Sequence, residues 1–257
     1  ADWWQAQTGA VHSKGTLVIS PTRDHAELAR FARRTRGYED ADQDLITVLE
    51  PDLEGRYQKG LFFHYEAHIY PRDALARLTD GLARDGVTIT QNDVDLGDLS
   101  KRSLTIDARG FAARDSLPEL RGVKGEMLVL RAPDVTLSRP IRLLHPRMPL
   151  YVVPRGNGLF MLGATQVEGT AGKTIAARAR LELLSAAYAL HPAFAEAEVV
   201  ETGVDSRPAF ADNLPRVTRV GNLIRINGLF RHGFLLAPAM ASKVRDLILD
   251  QGVPHAR

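Results

Sequence analysis

The chain alternates short apolar runs with amphipathic stretches, the pattern of a layered protein with both strands and helices. Gly15-Thr16-Leu17-Val18-Ile19 is a β-rich run. Ser20-Pro21 follows, a cap residue ahead of a proline suited to a first helical turn. From Asp24 to Thr35 apolar residues recur at Ala26, Leu28, Ala29, Phe31 and Ala32, which predicts a helix. A second helix begins near Pro71, with Leu75, Leu78, Leu82 and Ala83 on one face and Gly86 where a C-terminal cap belongs. The runs 87–90 and 104–106 read as strands, and strand–helix–strand order suggests an α/β layer.

After Gly125 the texture changes. Met127-Leu128-Val129-Leu130 is a buried-strand run. Tyr151-Val152-Val153-Pro154 and Leu159-Phe160-Met161-Leu162 flank Arg155-Gly156-Asn157-Gly158, a turn-forming tetrapeptide that predicts an antiparallel hairpin. Residues 174–190 predict a helix with Ile175, Ala179, Leu183 and Ala186 as its stripe, widened by Ala177, Leu181 and Leu184 and closed by Pro192. A strand at 223–226, a loop at 228–233 and an amphipathic helix at 234–249 complete the chain, which has no internal repeat.

With 257 residues, 44% hydrophobic and 25% charged, the chain has room for two small domains or one large one. No apolar run reaches bilayer length, and Ala1-Asp2-Trp3-Trp4-Gln5 lacks the texture of a signal peptide. The absence of cysteine excludes a disulfide framework, a thiolate metal site and a cysteine nucleophile. A cytoplasmic enzyme fits these features. The tightest basic cluster, Arg30, Arg33, Arg34 and Arg36, reads as a solvated helix face, so neither nucleic acid nor membrane is an expected partner. His64 and His68 would share a face on a helix, but their apolar flanks favour strand and supply no third ligand, so no metal is expected.

The segment Asn227-Gly228-Leu229-Phe230-Arg231-His232-Gly233-Phe234-Leu235-Leu236-Ala237-Pro238-Ala239 is the most informative. A strand runs through a glycine-bearing loop directly into a helix, so backbone N–H groups and the positive dipole end face whatever lies over the loop. A generic strand–loop–helix junction has the same pattern.

The segment is similar to the C-terminal flavin-binding loop of the glycine/D-amino-acid oxidase superfamily, and its Arg-x-Gly-x-Leu-Leu-Ala-Pro-Ala form resembles the glycine oxidases of thiamine biosynthesis. Gly203-Val204-Asp205-Ser206-Arg207-Pro208 resembles the family's Gly-x-Arg-Pro element, lengthened between glycine and arginine by two residues. Tyr151-Val152-Val153-Pro154-Arg155 with Gly163-Ala164-Thr165 resembles its substrate hairpin, where Gln166 stands in place of a frequent methionine. Arg121-Gly122-Val123-Lys124-Gly125-Glu126-Met127 resembles the start of the substrate sheet. Asp107-Ala108-Arg109-Gly110 resembles the strand-end element beside the FAD pyrophosphate, and Val94 stands where relatives contact adenine.

The resemblance implies FAD as cofactor and a small amino acid as substrate. It puts Arg207 on the substrate carboxylate as a fork, Tyr151 beside it and Arg231 in the same catalytic group. Gln166 would line the pocket, with Val94, Asp107, Gly110, Gly228, His232, Gly233, Phe234 and Leu235 at the cofactor. The implied reaction is oxidative deamination of glycine or a similar amine, giving imine and hydrogen peroxide for thiazole formation. A sarcosine or D-amino-acid oxidase stays open as an alternative, as do a catalytically inactive fragment and a homo-oligomer.

The expected class is α/β (α+β): a truncated FAD-binding Rossmann-like layer plus an antiparallel-sheet substrate domain. Residues 1–123 and 197–257, interleaved, would form the partial FAD-binding domain with part of the substrate region. Residues 124–196 with 15–70 would form the substrate domain. Gly-x-Gly-x-x-Gly occurs nowhere in the chain. The expectation is therefore an N-terminally truncated chain with poor FAD affinity on its own.

Overall fold

A computed structural model describes residues 1–146, 149–169 and 172–250. In chain order its elements are α1 (Asp2–Thr8), β1 (Val11–His12), β2 (Thr16–Ile19), α2 (His25–Ala32), β3 (Glu39–Asp42), α3 (Gln43–Leu49), β4 (Lys59–Phe63), β5 (His68–Ile69) and α4 (Pro71–Arg84). There follow α5 (Leu96–Arg102), β6 (Thr105–Asp107), β7 (Arg121–Arg131), β8 (Ile141–Leu143), β9 (Leu150–Pro154), β10 (Leu159–Gly163) and β11 (Val167–Glu168). The last are α6 (Ala177–Leu190), β12 (Glu198–Ala209), β13 (Arg216–Val220), β14 (Leu223–Asn227) and α7 (Gly233–Leu249). The elements form two compact units: Ala1–Thr88, Glu126–Thr165 and Thr174–Val204 in one, and Ile89–Gly125, Gln166–Lys173 and Asp205 onward in the other.

The first unit is built on a sheet in which β10, β9, β8, β2, β4 and β3 lie side by side, with residues 128–131 of β7 antiparallel to β10. Pairing is antiparallel except between β2 and β8. Side chains alternate between faces along a strand. Leu17 and Ile19 accordingly enter one core with α3 and α6, while Val18 enters another with Leu28 of α2. Because both faces are covered, Leu17-Val18-Ile19 and Leu61-Phe62-Phe63 read as unbroken apolar runs. The end of α6 is closed from outside the helix, where Arg56 Nε and Tyr57 Oη donate to the Leu190 carbonyl at 3.2 and 3.1 Å. Burial pushes the Tyr57 hydroxyl up to about 12.

Where β1 pairs with β5, His12 stacks on His68 with ring centroids 5.1 Å apart and on Tyr70 at 4.3 Å. Arg155 lies over Tyr70 at 5.0 Å. Burial first, then the charges of His12, Arg155 and Lys14, lower His68 to about 4 from its ordinary 6.5. A depressed folded value means that the unfolded chain takes up the proton first. Stability should therefore be level above pH 6.5 and fall as the pH drops from 6.5 towards 4. The unfolding temperature of the protein and of His68→Phe, followed across that window, checks this: the variant should lose part of the slope, and identical slopes would remove His68 as its source.

In the second unit β13, β14 and β6 form a sheet, antiparallel between β13 and β14 and parallel between β14 and β6. β14 leads into α7, which buries Met240 and Val244. Residues 123–124 of β7 pair with β11 in this unit. Among the described residues no helix is long and apolar enough to cross a membrane.

Mixed strands and helices with a largely antiparallel sheet agree with the expected class. Four local expectations are corrected. Residues 87–90 form no strand, because their β-prone side chains have no ladder partner among the described residues. Ser20 is no helix cap: its buried Oγ has no partner among the described residues, and a 3₁₀ turn at Thr22–Asp24 precedes α2. The helix expected over 24–35 spans only His25–Ala32. On α6, Ala177 and Leu181 face solvent, and a narrower stripe of Ala179, Leu183, Ala186, Ala187 and Leu190 meets the sheet.

Candidate active site

The end of β14 shapes a loop in the second unit. Asn227 is buried and clamps two segments: its Nδ2 donates to the Gly110 carbonyl at 2.8 Å and its Oδ1 accepts from Gly228 N at 2.8 Å. Gly228 has φ +80°, and the Phe210 ring occupies the space of a Cβ there, so only glycine fits. Phe230 N donates to the Pro208 carbonyl at 3.0 Å, and His232 N to that of Leu229 at 2.9 Å. Helix α7 then starts at Gly233 with no side-chain cap, and its first backward hydrogen bond runs from Leu236 N to His232 O at 2.8 Å. His232 thus adds no side-chain acceptor at the positive end of the helix.

A cavity of about 680 Å³ lies against this junction, walled by Ile106, Ala108, Ile226 and Val244 and including Gly110 and Gly233. Small-molecule sites run from about 300 to 1,000 Å³. Open space lies where Gly110 and Gly233 would carry a Cβ. An apolar wall, two bare glycine backbones and a helix start suit a flat ring with a polar, anion-forming edge.

Of the residues expected at a cofactor, Gly110 and Gly233 line this cavity, while Gly228, His232, Phe234 and Leu235 lie on the same loop and helix start outside its wall, Leu235 being 73% exposed. Asp107 has a different immediate task. Its buried carboxylate accepts from Arg109 N at 3.1 Å and Nε at 3.0 Å, and Arg109 continues to Asp115 at 2.9 Å. Arg109 holds the Asp115 carboxyl below the usual carboxylate range. Asp107 thus fixes the turn that presents Gly110. Val94 is exposed on the irregular segment before α5 and does not line the cavity.

Arg231, exposed on the loop, donates from Nη1 to Gln166 Oε1 at 3.2 Å. Arg121 pairs with Glu168 and Asn213 and lies over the Phe230 ring at 5.8 Å, bracing the same loop. Arg207 is carried by β12 in the second unit. Tyr151 belongs to β9 in the first unit, where Leu150 and Val152 enter the core and Tyr151, on the other face, is 37% exposed. Arg155 shares that face but is engaged, donating to the Ile69 carbonyl at 2.8 Å. Sequence reasoning gave Asn227 and Phe210 no role. An asparagine at a strand end before glycine is the turn signal that could have flagged the first.

Residues 1–247 match the family described as FAD dependent oxidoreductase, DAO. A Rhizobium etli protein provisionally named thiamine biosynthesis oxidoreductase ThiO is 53% identical over 259 aligned residues, which take in the whole chain and 79% of that protein. A glycine oxidase of Geobacillus kaustophilus is 32% identical over 130 residues, 49% of this chain and 33% of that one. The crystal structure of the glycine oxidase from the same organism superposes with a TM-score of 0.76 at 22% identity, over 97% of this chain and 75% of that one. That of Bacillus cereus gives 0.78 at 20%, over 99% and 79%. Likeness at such low identity shows the fold, which is theirs. The chain belongs to the DAO family of FAD-dependent oxidoreductases.

Proposed function

We propose that the protein oxidatively deaminates glycine or a similarly small amino acid, providing an imine for thiazole formation in thiamine biosynthesis. One observation carries the reading: 53% identity across the whole chain to the Rhizobium etli protein named ThiO. The second unit, with the helix start at α7 and the cavity beside it, is assigned to FAD and also carries Arg207 and Gln166, while Tyr151 belongs to the antiparallel sheet of the first.

FAD, when bound, would supply a two-electron acceptor for the hydride of the breaking Cα–H bond, and oxygen with one further proton would return it to the oxidised state as hydrogen peroxide forms. The chain's own part is binding and orientation. Arg207 meets the substrate carboxylate with two N–H groups of its fork, a charge-assisted pair that also fixes direction. The Tyr151 hydroxyl donates a further hydrogen bond to a carboxylate oxygen. Holding the carboxylate also sets the direction of Cα–H, a smaller contribution to rate than to binding. The amine reacts neutral, its lone pair closing the C=N bond after its proton has left to water. Gly233 and Leu235, with the helix dipole behind them, offer positive backbone to an anionic ring edge. Gln166, tied to Arg231, makes the site more polar than a methionine would. That observation favours a second reading, in which an amine other than glycine, of the sarcosine or D-amino-acid kind, is the better substrate.

The test is the FAD-loaded protein mixed without oxygen with glycine, sarcosine or D-alanine, and with oxygen for peroxide. Glycine should bleach the flavin with the highest kcat/KM. Preference for sarcosine or D-alanine would establish the second reading, and a flavin bleached by none of the three would end both.

A further inference from the structure

We infer that Gly125 and Gly163 are positioning residues for the two side chains assigned to the substrate carboxylate, each leaving room for its partner to lie flat against backbone. The inference rests on the proposed role of Arg207 and Tyr151 and adds what places them.

Gly163 on β10 is the register partner of Tyr151 on β9. Directly opposed residues in an antiparallel pair stand about 4.5–5.5 Å apart at Cβ, so side chains on one face compete for the same space. At this pair only one side chain exists. The Tyr151 ring leans across the strand into the space that a Cβ of Gly163 would fill: such an atom would meet Tyr151 Cε2 at 2.7 Å and collide with Cζ and Oη. Real Cβ atoms essentially never approach within 3.0 Å, so ring and methyl cannot coexist as placed. The phenol that carries the hydroxyl is therefore aimed by the absence of a neighbour.

Gly125 on β7 does the same for Arg207 on β12. A Cβ at Gly125 would strike the Cζ and both Nη atoms of Arg207. The whole planar fork lies over one residue of bare backbone. Gly125 has no positive φ that would demand glycine for conformational reasons. The space above it is what its lack of a side chain supplies. Because Arg207 is long, a methyl there would push the guanidinium aside rather than break the strand.

The experiment uses the FAD-loaded protein and the variants Gly125→Ala, Gly163→Ala, Arg207→Ala and Tyr151→Phe. It measures KM and kcat for glycine, binding of acetate by calorimetry, and the unfolding temperature. Acetate presents the carboxylate without the amine and so reads the anchors apart from turnover. Each glycine variant should raise KM and weaken acetate binding by roughly tenfold or more, the loss of one hydrogen bond to a charged group. The change in kcat should be smaller.

The decisive readout is coupling. Gly125→Ala in an Arg207→Ala background, and Gly163→Ala in a Tyr151→Phe background, should add little, because the group being positioned has gone. Additive losses, or glycine variants with unchanged KM and acetate binding while the anchor variants lose both, would overturn the inference and leave the anchors standing. Anchor variants with unchanged KM and acetate binding would instead overturn the site assignment beneath it. Should Gly163→Ala fail to fold, Gly163→Ala with Tyr151→Ala removes the ring above the new methyl. Recovery of folding supports the shared-space account, and no recovery gives Gly163 a backbone role and removes it from the inference.

Discussion

Replacing Arg207 by alanine is expected to reduce kcat/KM for glycine by roughly 10²–10⁴-fold, with most of the loss in KM. Each hydrogen bond to a charged group contributes about 1.5–3 kcal/mol, and a fork supplies two to one carboxylate. Every ~1.36 kcal/mol is tenfold in rate. The carboxylate is bonded to the reacting Cα but keeps its own charge while the C–H bond breaks, so most of its binding is shared by ground and transition states and its loss appears first as KM. Arg207→Lys should recover only part, since an ammonium is a point charge without the planar pair of donors. A further consequence concerns methylamine, glycine without its carboxylate. The native enzyme should discriminate strongly against it, and the alanine variant hardly at all. Steady-state peroxide assays on both substrates decide it. A variant within threefold of native kcat/KM, or one that keeps its full discrimination, would remove Arg207 from the carboxylate.

The parts of this protein that the sequence made legible are those where local chemistry suffices. Residues 155–158 had to be a turn, because Gly156, Asn157 and Gly158 adopt φ of 78, 52 and 68°, values that few residues other than glycine and asparagine accept. Strands covered on both faces announced themselves as unbroken apolar runs. The start of α7 was readable for the same reason, with glycines before it and an amphipathic stripe after. What escaped depends on partners. Val87 and Ile89 have strand-forming side chains, yet a strand exists only with a neighbour, and both are half exposed here. Leu181 was read as widening the stripe of α6, but it lies off the line of Ala179, Leu183, Ala186 and Leu190 that is buried and is itself 69% exposed. Gly163 lies under Tyr151 through cross-strand register, which no local pattern states. Asn227 reaches Gly110 across 117 residues of sequence, and only the parallel pairing of β14 with β6 brings those segments together.

The same dependence on distant partners underlies the largest stability effect expected away from the site. Glu50 follows α3 and is 1% exposed. Its carboxylate accepts from Ser138 N at 2.9 Å, Ser138 Oγ at 2.9 Å, Arg139 N at 3.0 Å and Arg139 Nε at 2.8 Å. The Arg139 guanidinium also donates to the carbonyls of Leu49 and Lys14 at 2.9 and 3.1 Å and lies over the Phe62 ring. The group is a buried ion pair with its hydrogen bonds satisfied, joining the end of α3 to the chain that enters β8. Such a pair adds little net stability compared with apolar residues of equal volume, but removing one partner leaves a buried charge alone, at about 3–5 kcal/mol. At ~2–4 °C per kcal/mol for domains of roughly this size, Glu50→Ala should unfold about 6–20 °C lower than the native protein. Glu50→Gln should be destabilised as well, because an amide oxygen can accept from Ser138 yet leaves the guanidinium uncompensated. The double variant Glu50→Leu with Arg139→Met removes both charges and should lie closer to native than Glu50→Leu alone. Calorimetric unfolding of these four variants and of Arg139→Met alone is the measurement. If Glu50→Ala unfolds within 2 °C of the native protein, or if the double variant is less stable than Glu50→Leu by the full cost of losing Arg139, then the stranded-charge account of this contact is wrong.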